Sequence, residues 1–344
     1  MKRKYTSAIA AATLAATASM GLSSCHDAPD YDNSALGTFD CLWETVDTRY
    51  CFFAEKDVDW QEVRDRYRPR VIEGITQTEL FDLCSEMLAE LRDGHVNLSS
   101  AFDVSYYREW WSLYPQDFSW RTVQQYYLDF NYRTLGVMAY AILPQNVAYV
   151  RYSSFSAMPG EGNLDIMFSY LSPCDALIID IRDNGGGELT NIRPLVSRLI
   201  HDKMVGGYIS HKTGPGHDDF SKPYPVEYEP ADKGRVVWNK PVAVLTNRSC
   251  FSAANDFVAV MKEVPGVIIV GARTGGGGGM PFTAQMPNGW NLRFSASPMT
   301  DVHGRSIEDG IDPTQGCEAH SPAEELAAGR DAILDLAIQK LTNH

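Results

Sequence analysis

The chain has too little positive charge for a nucleic-acid or anionic-membrane surface. Its 30 Lys and Arg face 44 Asp and Glu, a formal net charge of −14, and the basic residues form no stripe. Cysteine is sparse: seven in 344 residues, with no CxxC and no spacing that suits a zinc site. Past the N-terminus no apolar run is long enough to cross a bilayer as a helix. Repeats of 20–50 residues and low-complexity blocks are absent too, which excludes solenoids and arrays. The one Asn-Gly-Gly-Gly stretch lacks the GKS/T ending of a phosphate-binding loop, and it fails the EF-hand pattern. What remains is an ordinary globular composition with ample apolar content for a core.

The first 25 residues read as a leader. "MKRKY" is a basic start, Thr6 to Met20 is alanine-rich and apolar, and "LSSC" ends at Cys25. That order resembles the bacterial lipoprotein signal, in which cleavage leaves an acylated cysteine, so Cys25 is the expected lipid anchor. Residues 26–35 then read as a polar tether. An exported chain permits disulfides among the six remaining cysteines, of which Cys41 and Cys51 are nearest in sequence.

Residues 36–100 are patterned as a helical subdomain. Its clearest helix runs from a capping box at Thr76 and Glu79 through Leu80, Leu83, Cys84, Met87, Leu88 and Leu91, and stops at Gly94. His95 emerges just past that stop, where the helix dipole favours a cation. Residues 101–145 form an aromatic-rich connecting segment. From 146 to 344 strands and helices alternate. "NVAYVRY" is a half-buried strand, "ALIIDI" is a fully buried one, "VAVLT" is the next buried strand and "VIIVG" a third, giving an α/β core. Residues 203–240, rich in Gly and Pro, read as an excursion and edge hairpin.

Several residues could carry chemistry. Ser252, in "NRSCFSAANDF", follows a buried strand and opens a helix, so its hydroxyl is either a helix cap or a nucleophile at the carboxyl edge of the sheet. A serine nucleophile needs a base, lysine or histidine. Lys262 lies ten residues along the same helix, roughly 15 Å at 1.5 Å per residue, and the next lysine is Lys340. A lysine downstream is therefore poorly placed. Among histidines His95 stands out, with His201, His211, His217 and His303 as other candidates. "DIRDNGGGE" offers free amides for an oxyanion after a buried strand. "TGGGGG" could admit a peptide backbone or form a mobile loop. Glu308 in "IEDGIDP" could support a histidine.

The order "LRDGHV", "VAYVRYSSF", "LIIDIRDNGGG", "VAVLTNRSCFSAAND", "VGARTGGGGG" and "IEDGIDP" resembles the S41 peptidases, which include C-terminal processing peptidases and tricorn-type core proteases. The resemblance implies a ClpP/crotonase-like α/β core behind an N-terminal helical subdomain. It also implies a serine endopeptidase or C-terminal processing-like peptidase that acts on proteins or peptides through an acyl-enzyme, with no metal and no cofactor. Ser252 matches the nucleophile, while His95 and Glu308 match a histidine base and its glutamate, in place of a Ser–Lys dyad. Ala253 and Gly186 match the oxyanion donors. Asn255 stands where the family has glutamate, and Gly94 stands where tricorn has a serine. Too few residues follow His95 before "VAYV" to hold a PDZ domain. The expected setting is the cell envelope, with a binding lipoprotein of the same fold, catalytically inactive, as the alternative.

Overall fold

The computed structural model describes residues 31–343. The leader over 1–25, its Cys25 and the first half of the tether lie outside the described residues. Four helices come first: α1 (Ala35–Arg49), α2 (Phe53–Lys56), α3 (Trp60–Tyr67) and α4 (Gln77–Ala89). Ser34 caps α1 and Asp59 caps α3 through side-chain oxygens. On α4 the Thr76–Glu79 capping box forms in both directions, a contribution of about 1 kcal/mol. The apolar face of α4 is buried as its spacing predicts. It packs with Phe39, Leu42 and Val46 of α1 against Trp290, Leu292 and Phe294, making one hydrophobic core. Cys41 lies on α1, Cys51 beyond it, and both thiols are free.

The chain then enters β1 (Asn97–Ser99) and passes through the short helices α5 (Glu109–Ser112) and α6 (Trp120–Thr122). The main sheet follows, in the order β2 (Arg133–Leu135), β3 (Met138–Ile142), β4 (Val147–Tyr152), β5 (Ala176–Asp180), β8 (Val242–Thr246) and β9 (Val267–Gly271). The last four are parallel, and β2, β3 and β4 pair antiparallel. The sheet thus begins inside the stretch expected to be only a connector, because Met138 to Ala141 are buried and alternate onto both faces. Helices α7 (Glu161–Leu171), α8 (Arg193–Ser197) and α9 (Ala253–Met261) cover one face. After α10 (Ala323–Ala327), α11 (Ala332–Thr342) covers the other. This is the mixed α/β architecture expected, with fully buried parallel strands reading as continuous apolar runs.

A second sheet joins the two parts. Strands β6 (Met204–Ile209) and β7 (Tyr224–Tyr228) form the hairpin expected in the excursion. They continue through β11 (Asn291–Thr300) to β1, and β10 (Gly279–Gln285) also pairs with β11. Behind β5, the fully buried Arg182 bridges Asp180 at 2.6 Å and Asp331 at 2.8 Å. A buried cation between two carboxylates ties the start of α11 to the loop after β5.

Candidate active site

Ser252 sits between β8 and α9 at φ 58°, ψ −123°, a conformation L residues rarely adopt. Its amide donates to Gly276 O at 2.8 Å, which fixes the turn. The hydroxyl makes no capping bond to the helix it precedes. Instead Ser252 Oγ lies 2.9 Å from His95 Nε2. That answers the choice left open by the sequence: the backbone position is a cap, and the side chain points elsewhere.

The helix α4 stops earlier than expected, at Ala89 and not at Gly94, and His95 sits in a separate turn closed by the Val96 amide on Asp93 O at 3.1 Å. The His95 amide donates to Asp93 Oδ1 at 2.7 Å, and its ring is 2% exposed. A Cβ at Gly94 would fall 2.5 Å from Trp110 Nε1 and 2.9 Å from the Phe251 ring, so glycine lets Phe251 pack on the histidine and Trp110 stack on Phe251. Burial pushes the imidazole down to about 4; Asp93 opposes the shift and Arg293 adds to it. The ring is therefore neutral at pH 7 and able to accept a proton. Nδ1 faces Ser295 Oγ at 3.4 Å.

Glu308 makes no hydrogen bond to His95 among the described residues. Its Oε1 pairs with Lys56 Nζ at 2.9 Å, and its Oε2 accepts the Gly278 amide at 2.8 Å. Burial raises the Glu308 carboxyl well above its ordinary range, Asp93 adds to this, and Lys56 opposes it. Burial works against the Lys56 cation, yet Glu308 holds it above the usual lysine value, which leaves no free amine to act as a base. Lys262 donates to Asp312 O, away from the serine, as the count along α9 implies. Of the other candidate histidines, His211 bonds with Ser297, His217 with Asp47 and His303 pairs with Glu263, while His201 is exposed just after α8.

The loop after β5 closes over Ser252. A Cβ at Gly186 (φ 98°) would meet Ser252 Cβ at 2.9 Å and Ala253 N at 3.0 Å. The Gly186 amide, however, donates to Asn184 Oδ1 at 2.9 Å, so it is not the oxyanion donor expected of it. Gly186 supplies room, and the amides of Gly185 and Gly187 have no acceptor among the described residues. The Ala253 amide stands at the first position of α9, where helix geometry gives it no intrahelical partner, and it has no acceptor among the described residues.

The glycine run Gly275–Gly279 is packed against the chain itself. A Cβ along it would collide with Arg248 O, Glu308 O, the Phe251 ring, Ile307 or Ser295, so the backbone it admits is the chain's own. Asn255 also gains a role. Its Nδ2 donates to Ile307 O at 2.9 Å and its Oδ1 accepts from Thr274 Oγ1 at 2.6 Å, tying α9 to the segment that carries Glu308. Sequence reasoning missed Lys56 and Ser295. Neither belongs to a motif, and only the packing of α2 and β11 brings them in.

A serine on a strained strand–helix turn, a buried histidine in contact with it and a glycine loop against the serine are the parts that an activated serine nucleophile needs. The family model of Peptidase family S41 matches residues 146–316, and that of the Tricorn protease C1 domain matches residues 32–89. A crystal structure from Parabacteroides merdae ATCC 43184, provisionally described as a peptidase, is 45% identical with a TM-score of 0.85. That match covers 90% of this chain and 97% of that one. The chain belongs to peptidase family S41. Mature CPAF shares the fold, with a TM-score of 0.69 at 14% identity over 90% of this chain and 96% of that one. A protein of Chlamydia trachomatis is 39% identical over 83 residues, 23% of this chain and only 14% of its own length.

Proposed function

We propose that this chain is a serine endopeptidase of the cell envelope, held by a lipid at Cys25, that cleaves proteins or peptides through an acyl-enzyme. The 2.9 Å approach of His95 Nε2 to Ser252 Oγ carries this proposal. His95 takes the Ser252 proton while Oγ attacks the peptide carbonyl. The amide of Ala253, with one from Gly185 or Gly187, faces the oxyanion that forms. His95 then passes its proton to the leaving amine, and water returns the serine by the same route. Substrate recognition by a PDZ domain has no part in this proposal.

Fluorophosphonate labelling tests it. Wild type labels at Ser252 and cleaves denatured casein, while Ser252→Ala and His95→Ala each abolish labelling. A wild type that does neither is instead a binding protein on this fold. Labelling that survives His95→Ala removes histidine as the base.

A further inference from the structure

For Nε2 to accept the serine proton, the ring proton of His95 must sit on Nδ1. In the triad pattern a carboxylate holds that proton and stabilises the imidazolium. Glu308 is placed to do neither, since both its oxygens are engaged, by Lys56 and by Gly278, and the ammonium cancels its charge. Two other groups are better placed. Ser295 Oγ, on the fully buried part of β11, is the side chain at Nδ1. Asp93 is 1% exposed, gives Oδ1 to the His95 amide, and holds Oδ2 buried beside the Tyr50 hydroxyl with no salt bridge among the described residues.

We infer that Ser295 and Asp93 are the positioning residues of His95: the serine hydroxyl fixes the ring tautomer, and the aspartate supplies the negative charge for the imidazolium. The inference rests on His95 being the base. A buried, unneutralised carboxylate is costly, and it gains a counter-charge at the moment His95 takes the Ser252 proton. Nδ1–H stays on the ring and donates to Ser295 Oγ, and no proton passes to Asp93. The charged and titratable groups facing this space are Asp93 on the histidine loop, Arg293 on β11, Lys56 on α2, Glu308, and Tyr50 and Cys51 past α1. Arg293 makes no ion pair among the described residues; its guanidinium donates to Asn97 Oδ1 at 3.4 Å. Glu308 and Lys56 are left to anchor the glycine run, whose Gly277 and Gly278 amides both donate to Glu308.

Three variants of the full chain separate the roles. Asp93→Asn keeps an acceptor for the His95 amide but removes the charge. The acid limb of kcat/KM should then move down by on the order of one pH unit. Ser295→Ala should lower kcat roughly ten- to a hundredfold, as loss of a group that orients a histidine does, with rescue by Ser295→Thr. Glu308→Gln should leave the acid limb in place. Histidine NMR in the Ser252→Ala background reads the His95 tautomer and transition without turnover, so it holds even where no substrate is cleaved. A His95 transition lowered by Glu308→Gln and unmoved by Asp93→Asn overturns the assignment. Where Asp93→Asn does not fold, the Glu308→Gln titration alone decides: a lowered transition overturns the assignment, an unchanged one upholds it. An Nδ1 tautomer that persists in Ser295→Ala overturns the role of Ser295.

Discussion

Replacing Ser252 by glycine should make the protein more stable than replacing it by alanine, although both are inactive. Both lose the hydroxyl and its contact with His95, so that contribution cancels. Alanine keeps a Cβ at φ 58°, ψ −123°, a conformation that costs L residues about 1–3 kcal/mol. Glycine removes that strain. Against it stand about 0.5–1 kcal/mol of extra chain entropy in the unfolded state and some 0.4 kcal/mol for half of one buried methyl group. With strain at the middle of its range, the balance favours glycine by about 1 kcal/mol. Unfolding entropy of about 2.1 cal/mol/K per residue over ~310 described residues converts this to a Tm difference of about 1.5 °C. Paired calorimetric scans of Ser252→Gly and Ser252→Ala at one protein concentration resolve it. A glycine variant that melts at or below the alanine variant shows that the turn stores no strain, and it removes that support for Ser252 as a primed nucleophile.

His95 sets a pH dependence of stability. Its folded value of about 4 lies below the ordinary 6.5, so the unfolded chain binds the proton first as pH falls. Its contribution is complete above pH 6.5 and declines between 6.5 and 4, by about 3 kcal/mol in all. Urea midpoints across that window should flatten in His95→Gln, and an unchanged slope contradicts the burial of a neutral ring. At Gly276 (φ 85°) a Cβ would fall far inside contact distance of Glu308 O. Gly276→Ala should therefore cost about 3 kcal/mol from left-handed strain and overpacking and slow fluorophosphonate labelling, since Gly276 O holds the Ser252 amide. Wild-type stability in that variant shows that the run is looser than its packing implies.

Much of this molecule is legible in its sequence wherever the deciding force is local. The α4 capping box, the buried strands β5, β8 and β9 and the turn at Ser252 follow from spacing and burial alone. His95 is found although the expected stop at Gly94 is misplaced: α4 ends at Ala89, and a turn of its own carries the histidine. Contacts between distant parts are harder to read. Lys56 meets Glu308 across the chain, and Ser295 meets His95 through the register of β11, and no periodicity encodes either meeting. Gly186 departs from expectation for a smaller reason. Sequence shows a free amide, but not that Asn184, two residues earlier, folds back to occupy it. Strands β2 and β3 are hidden among aromatics whose partners differ: Phe118 and Trp120 lie over Arg151, whereas Tyr126 and Phe130 stay exposed.

Strand β11 spans both halves, pairing with β1 beside the helices and with β6 beside the α/β core. His95 follows the helix of one hydrophobic cluster, and Ser252 precedes the helix of another. The spacing between serine and histidine is therefore set by a strand that carries neither of them: a change in how β11 pairs at either end would be read out at the 2.9 Å contact.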